Sequence, residues 1–158
     1  MRKSLYIIVF MALLDLAVLS GCGNRPGNYG NFAEADSVEL VRDALTAMQV
    51  NYPPAKTRIA LVQDTSDTFG SPLVESMREA GYAVAEYTGP AKGDKYLPIV
   101  EKPDGLAFAY VLDRIGSDEL RVSLHIGTET LSRMYRVQMS GDAPQYIPQG
   151  FWTRKQGG

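Results

Sequence analysis

The run TRIALVQDTSDTFGSPLVESMREAGYAV, Thr57 to Val84, decides the fold. Thr57 to Gln63 (TRIALVQ) is a short apolar stretch of strand-forming residues, read as a mostly buried strand. Asp64 to Ser71 (DTSDTFGS) punctuates it with turn-forming side chains. Phe69, Leu73, Met77 and Ala80 then share one helical stripe, which predicts a helix over 69–80. Pro72 is compatible with that helix only in its first turn, where a missing N–H costs nothing. Gly81 stands where a left-handed residue would close the helix. Tyr82 to Thr88 (YAVAEYT) reads as the next strand. Strand, helix and strand in this order predict a parallel pair joined by a right-handed crossover.

Upstream, residues 36–49 (DSVELVRDALTAMQ) predict an amphipathic helix. Val38, Val41, Leu45 and Met48 form its apolar face, Asp36 or Ser37 its cap, and Pro53-Pro54 its stop. Downstream, residues 89–104 hold three prolines and read as a long loop. Gly105 to Ile115 alternates, with Leu106, Phe108, Tyr110 and Leu112 on one face. Glu119 to Gly127 alternates too, with Leu120, Val122, Leu124 and Ile126 together. Gly116-Ser117-Asp118 turns between them, and Thr130 to Met139 supplies a last strand. The order is α-β-α-β-β-β-β. It predicts an α+β two-layer sandwich over 36–140, with two helices on a mixed, mostly antiparallel sheet, enough for one core. The tail, 141–158, is polar but carries Tyr146, Ile147, Phe151 and Trp152, aromatic and apolar groups of the kind found at interface hot spots. They either fold back on the domain or contact a partner. Tyr146, Phe151 and Trp152 are the candidate interaction residues.

Composition excludes much chemistry. The formal net charge is −2, with no basic stripe to neutralise phosphates, so nucleic acid is not an expected partner. A single cysteine rules out an internal disulfide and a thiolate zinc cluster. The single histidine, His125, is placed by alternation on the face away from the core, with no nucleophile or second metal ligand beside it. Asp64 and Asp67 read as turn and cap residues rather than an ion site. GPAKGDK, Gly89 to Lys95, lacks the phosphate-loop spacing. Glu75 and Glu79, with Arg78 beside them, read as a solvated helix face. No catalytic residue, metal or cofactor is expected, and the chain reads as a non-enzyme.

The amino-terminal segment reads as an address. Arg2 and Lys3 precede an apolar run, Leu5 to Leu19. As a helix it would span roughly 22 Å at about 1.5 Å per residue, short of the ~30 Å hydrocarbon core. Asp15 interrupts it. A removable signal over 1–21 fits better than a membrane span. Leu19-Ser20-Gly21-Cys22 resembles the bacterial lipobox, with cleavage between Gly21 and Cys22 and a diacylglyceryl group on the Cys22 thiol. The lone cysteine is then an attachment point to the lipid bilayer. Gly23, rather than Asp, after the cysteine implies outer-membrane sorting by resemblance to Gram-negative lipoproteins. Residues 22–35 would be a flexible Gly-, Asn- and Pro-containing tether.

With these pieces in place the chain resembles the TrbH family of conjugal transfer lipoproteins. The resemblance rests on LSGC at 19–22, NYGNFA at 28–33, the run at 57–84, and GLAFAYVLD followed by LRVSLHIG. It implies a lipid-anchored, palmitate-bearing component of a mating-pair formation apparatus, a type IV secretion system of a conjugative plasmid. It also implies contact with the channel and scaffold proteins of the core complex, the domain facing the periplasm. No family catalytic residue is available to carry over. The alternative is a periplasmic lipoprotein that binds a small molecule or cell-wall fragment, or serves another surface organelle.

Overall fold

A computed structural model describes residues 26–30, 34–89 and 104–157. The signal segment 1–21, Gly21 and Cys22, the rest of the tether and most of the 89–104 loop lie outside the described residues. In chain order the elements are β1 (Gly27–Asn28), α1 (Glu34–Asn51), a 3₁₀ turn (Pro54–Lys56), β2 (Arg58–Leu61), α2 (Gly70–Glu79), β3 (Ala83–Ala85), β4 (Leu106–Arg114), β5 (Glu119–Ile126), β6 (Glu129–Ser140) and β7 (Ala143–Gln156). They form the expected α+β arrangement, two helices against one mixed sheet ordered β3-β2-β4-β5-β6-β7.

The run at 57–84 folds as its pattern indicates. β2 and β3 are parallel, with Ile59 opposite Val84. Phe69 at the cap, and Leu73 and Met77 on the inner face of α2, are fully buried. Gly81 takes φ +89, and the Tyr82 N–H reaches back to the Met77 carbonyl at 3.0 Å, which closes the helix. β4 to β7 form an antiparallel meander.

The core lies between the sheet and the helices. Phe108, Tyr110 and Leu112 of β4 meet Ile126, Leu124 and Val122 of β5 across it, and all six are buried. Leu106, read as part of that stripe, is 38% exposed at the strand's start. Ala109 and Val111 point the other way and are buried as well, outside the core cluster.

Helix α1 differs from its sequence reading. Its buried residues are Ser37, Leu40, Val41, Ala44, Ala47 and Met48, whereas Val38 is 59% exposed. The largest apolar groups suggested one stripe; the small Ala44 and Ala47 define another, because they let the helix approach the sheet closely. The helix begins at Glu34, so Ser37 lies inside it and not at its cap. The Ser37 hydroxyl donates to the Thr68 carbonyl at 2.8 Å and joins α1 to the start of α2.

Two further differences concern the chain ends. Gly27-Asn28, expected within a free tether, pairs in parallel with Val111 and Leu112 of β4. The tail is not separate from the sheet, because residues 143–156 form β7 against the whole of β6. Its Pro144 and Pro148 suggested a break, yet proline is tolerated on an edge strand, where the N–H it lacks would face solvent.

The loop before α2 is built on Asp67. Its Oδ1 accepts from the backbone N–H of Phe69 (2.9 Å) and Gly70 (3.1 Å), and from Asn28 Nδ2 (3.1 Å). The Tyr110 hydroxyl donates to its other oxygen. Phe69 stacks edge-on against Tyr110, with centroids 5.2 Å apart. A Cβ on Gly70 would lie 2.0 Å from the Tyr110 hydroxyl oxygen and 2.8 Å from the Thr65 carbonyl oxygen. Gly70→Ala is therefore expected to lower stability by about 2 kcal/mol or more, measured as the shift in the urea unfolding free energy. A wild-type value would show that the loop can move away at little cost.

Candidate functional site

Three places merit attention: the β7 edge, a cleft at the ends of the parallel strands, and a groove between the helices.

On the inner face of β6 and β7, Asp43 of α1 collects donors. Arg133 Nη1 lies 2.9 Å from both carboxylate oxygens, and Trp152 Nε1 lies 3.2 Å from Oδ2. The Tyr135 hydroxyl donates to the same oxygen. The Arg133 guanidinium also lies 6.0 Å from the Tyr135 ring centroid. Both charged partners are largely buried, with side chains 18% and 26% exposed for Arg133 and Asp43. Charge-assisted bonds in such a setting are strong, and costly to leave half-made. Burial first, and then the Asp43 carboxylate, holds the Tyr135 hydroxyl protonated well above its ordinary range.

The candidate aromatic residues of the tail separate here. Tyr146 is buried in the core. Trp152 packs against the core while its indole N–H binds Asp43. Phe151 is 91% exposed. A bulge separates the last two. Ser132 pairs with Thr153 and Met134 with Gln149, so Gly150, Phe151 and Trp152 face Arg133 alone. Arg133 Nη2 donates to the Gly150 carbonyl at 2.7 Å. Asp43 and Arg133 were not singled out from sequence. A charged residue in the otherwise apolar inward positions of β6 was the available signal, but it reads as a surface residue until the strand register is known.

A second polar tie joins Tyr52, just past α1, to the start of β6. The Tyr52 hydroxyl donates to Glu129, and Arg154 Nη2 lies 2.5 Å from the other oxygen of that carboxylate. Burial, then the Glu129 bond, pushes Tyr52 up to about 12. The Arg154 and Tyr52 bonds hold Glu129 below the usual carboxylate range.

The cleft has a volume of about 540 Å³ and lies beyond the carboxyl ends of β2 and β3. Asp64, Thr65 and Ser66 line it from one side, Ser71, Val74 and Arg78 from α2, and Glu86, Tyr87 and Gly89 from the chain after β3. Ligands of open α/β sheets often occupy this position. Arg78 is paired with Glu86. The Ser66 hydroxyl first, and then the Ser66 N–H donating at 2.9 Å, hold the Asp64 carboxyl below the usual range. Asp67 is spent on the helix start. Glu75 and Glu79 do not line this cleft. The groove between α1 and α2, about 420 Å³, is mostly apolar, lined by Val38, Val41, Leu45, Pro72 and Ala80 with Arg42, Ser76 and Glu79.

His125 lies on the sheet face opposite the helices, next to Thr130, with Nδ1 3.1 Å from the Thr130 hydroxyl. Burial pushes its pKa down. Among the described residues no three His, Cys, Asp or Glu side chains are grouped as metal ligands, and no helix is long and apolar enough to cross a membrane.

These features define a small α+β domain in which Asp43 and Asp67 tie the helices to the sheet. Residues 24–156 match the family model of conjugal transfer protein TrbH, and the chain belongs to that family of conjugal transfer proteins. No curated protein and no solved structure gives a significant match.

Asp43→Asn is expected to cost about 2–3 kcal/mol, because Arg133 is left without its counter-charge. It should also shift the fluorescence of Trp152, the single tryptophan. Unchanged emission and stability would remove Asp43 as the tie. Tyr52, Tyr82, Tyr110 and Tyr135 all hold their protons more tightly folded than unfolded. Their contribution is thus complete below pH 10 and is lost as pH rises through the raised values, near 12 for Tyr52. The urea midpoint should be flat from pH 8 to 9.5 and fall above 10.

Proposed function

We propose that this chain is an outer-membrane lipoprotein of a conjugative type IV secretion apparatus, with a structural and not an enzymatic part in plasmid transfer. Acyl chains on Cys22 hold it in the bilayer, and the domain faces the periplasm, where it helps to join channel and scaffold proteins. The observation that carries this reading is a juxtaposition. The match to the conjugal transfer family begins at residue 24, immediately after the lipobox-like Leu19-Ser20-Gly21-Cys22. Two or more acyl chains at ~0.8 kcal/mol per buried methylene give stable anchoring. Tethering raises the local concentration of a domain that would otherwise have to find its partners by diffusion. The internal use of Asp43, Asp67 and Glu129 supports a structural role, since each carboxylate is committed to holding elements together.

The second reading, a lipoprotein that binds a small molecule or cell-wall fragment, rests on the polar cleft beyond β2 and β3. The two readings separate on two variants of the full chain expressed from its plasmid. Cys22→Ser should move the protein out of the membrane fraction and lower transfer frequency by roughly tenfold or more. Arg78→Ala, in the cleft, should leave transfer unchanged. Full transfer by an unlipidated Cys22→Ser protein would overturn the anchoring role. Loss of transfer in a folded Arg78→Ala protein would favour the cleft.

A further inference from the structure

The outer edge of β7 is interrupted by two prolines in its first half and uninterrupted in its second. Val137 N–H donates to the Asp118 carbonyl at 2.7 Å, so the odd-numbered residues of β6 direct their backbone groups toward β5. Their β7 partners are Pro144 opposite Met139, Tyr146 opposite Val137 and Pro148 opposite Tyr135. Those residues therefore face outward, and at Pro144 and Pro148 the outward position has no N–H to offer. Beyond the bulge the Gly157 N–H donates to the Thr128 carbonyl at 2.6 Å. Thr153, Lys155 and Gly157 thus face β6, while Arg154 and Gln156 turn their N–H and C=O groups away from it. Among the described residues no strand follows β7 in the sheet order.

The flanks of this open half carry a definite chemistry. Segment 143–157 contains Arg154 and Lys155 and no Asp or Glu, in a chain whose formal net charge is −2. Just before it, the bulge turns Trp152 inward and leaves Phe151 91% exposed, with Gly150 at φ +68 making the bend. We infer that residues 153–157 of β7 are a strand-addition edge for an extended segment of a partner protein carrying acidic side chains, with Phe151 as the apolar anchor beside it. Main-chain bonds to Arg154 and Gln156 supply the pairing; Phe151, Lys155 and the exposed part of Arg154, whose other end is paired with Glu129 of β6, supply the selection. A second copy of the chain is a poor occupant. Antiparallel self-pairing at this edge sets Arg154 opposite Arg154 or, in the next register, Lys155 opposite Lys155, and like charges directly opposite destabilise a sheet.

The test needs neither lipidation nor transfer, so its failure is distinct from failure of the proposed function. The full chain in detergent is titrated with a capped nine-residue peptide that alternates Glu and Val around a central Phe, read by Trp152 fluorescence. The expected result is saturable binding, about tenfold weaker for the same peptide with Lys in place of Glu. Gln156→Pro removes an outward N–H and no bond to β6, so it should weaken binding by about tenfold while circular dichroism is unchanged. Phe151→Ser, at a solvent-exposed position, should weaken binding to a similar degree and serves if the proline variant does not fold. The inference is overturned if the Glu peptide does not bind, if both peptides bind equally, or if a folded variant of either kind binds as the wild type does.

Discussion

Every other strand of this sheet is arranged, directly or in turn, along the two edges of β4. One edge is taken by β5 from Phe108 to Arg114. The other is shared end to end by two unrelated pieces of chain. β2 covers Leu106 to Phe108, and β1 covers Val111 and Leu112. The backbone groups on that edge are satisfied in turn. The Phe108 carbonyl accepts from the Val62 N–H at 3.0 Å, and the Leu112 carbonyl from the Tyr29 N–H at 2.8 Å. Between them the Tyr110 N–H would be orphaned in the core. The Gln63 side chain accepts it at 2.8 Å. A buried N–H without a partner costs about 1–3 kcal/mol, so this one amide lets two short strands do the work of a long one.

The helices are tied to this sheet by polar bonds as well as by apolar burial. Asp67 links the start of α2 to β4 through Tyr110 and to β1 through Asn28. Asp43 links α1 to β6 and β7 through Arg133, Tyr135 and Trp152. Each carboxylate has lost much of its water and regained donors in fixed directions. Apolar contact alone would leave the helices free to slide. A carboxylate with three or four donors, from elements far apart in sequence, specifies one position.

The same geometry controls the sheet's edges. β3 is only three residues long, and the first half of β7 carries two prolines and ends in a bulge, all devices that discourage uncontrolled pairing. The proposed partner contact at this edge requires pairing with the right neighbour and not between copies in solution. An edge open over a few residues, basic at its flank and marked by one exposed aromatic group, meets that requirement.

Much of this was legible in the sequence because the signals are local. Strand period, helix stripe, the helix-closing Gly81 and the hairpin at 116–118 depend only on near neighbours, and each falls within a few residues of its expected place. The lipobox-like Leu19-Ser20-Gly21-Cys22 is a local pattern as well, and it lies outside the described residues. What the tertiary structure decided is long-range. It recruited residues 143–156 as a strand although they hold two prolines, because an edge position excuses a missing donor. It buried the alanine face of α1 in place of the larger Val38, because close approach of helix to sheet rewards small side chains. It also brought Asp43 to Arg133 across ninety residues of chain, since two charges find each other only when register and packing have already placed them on facing surfaces.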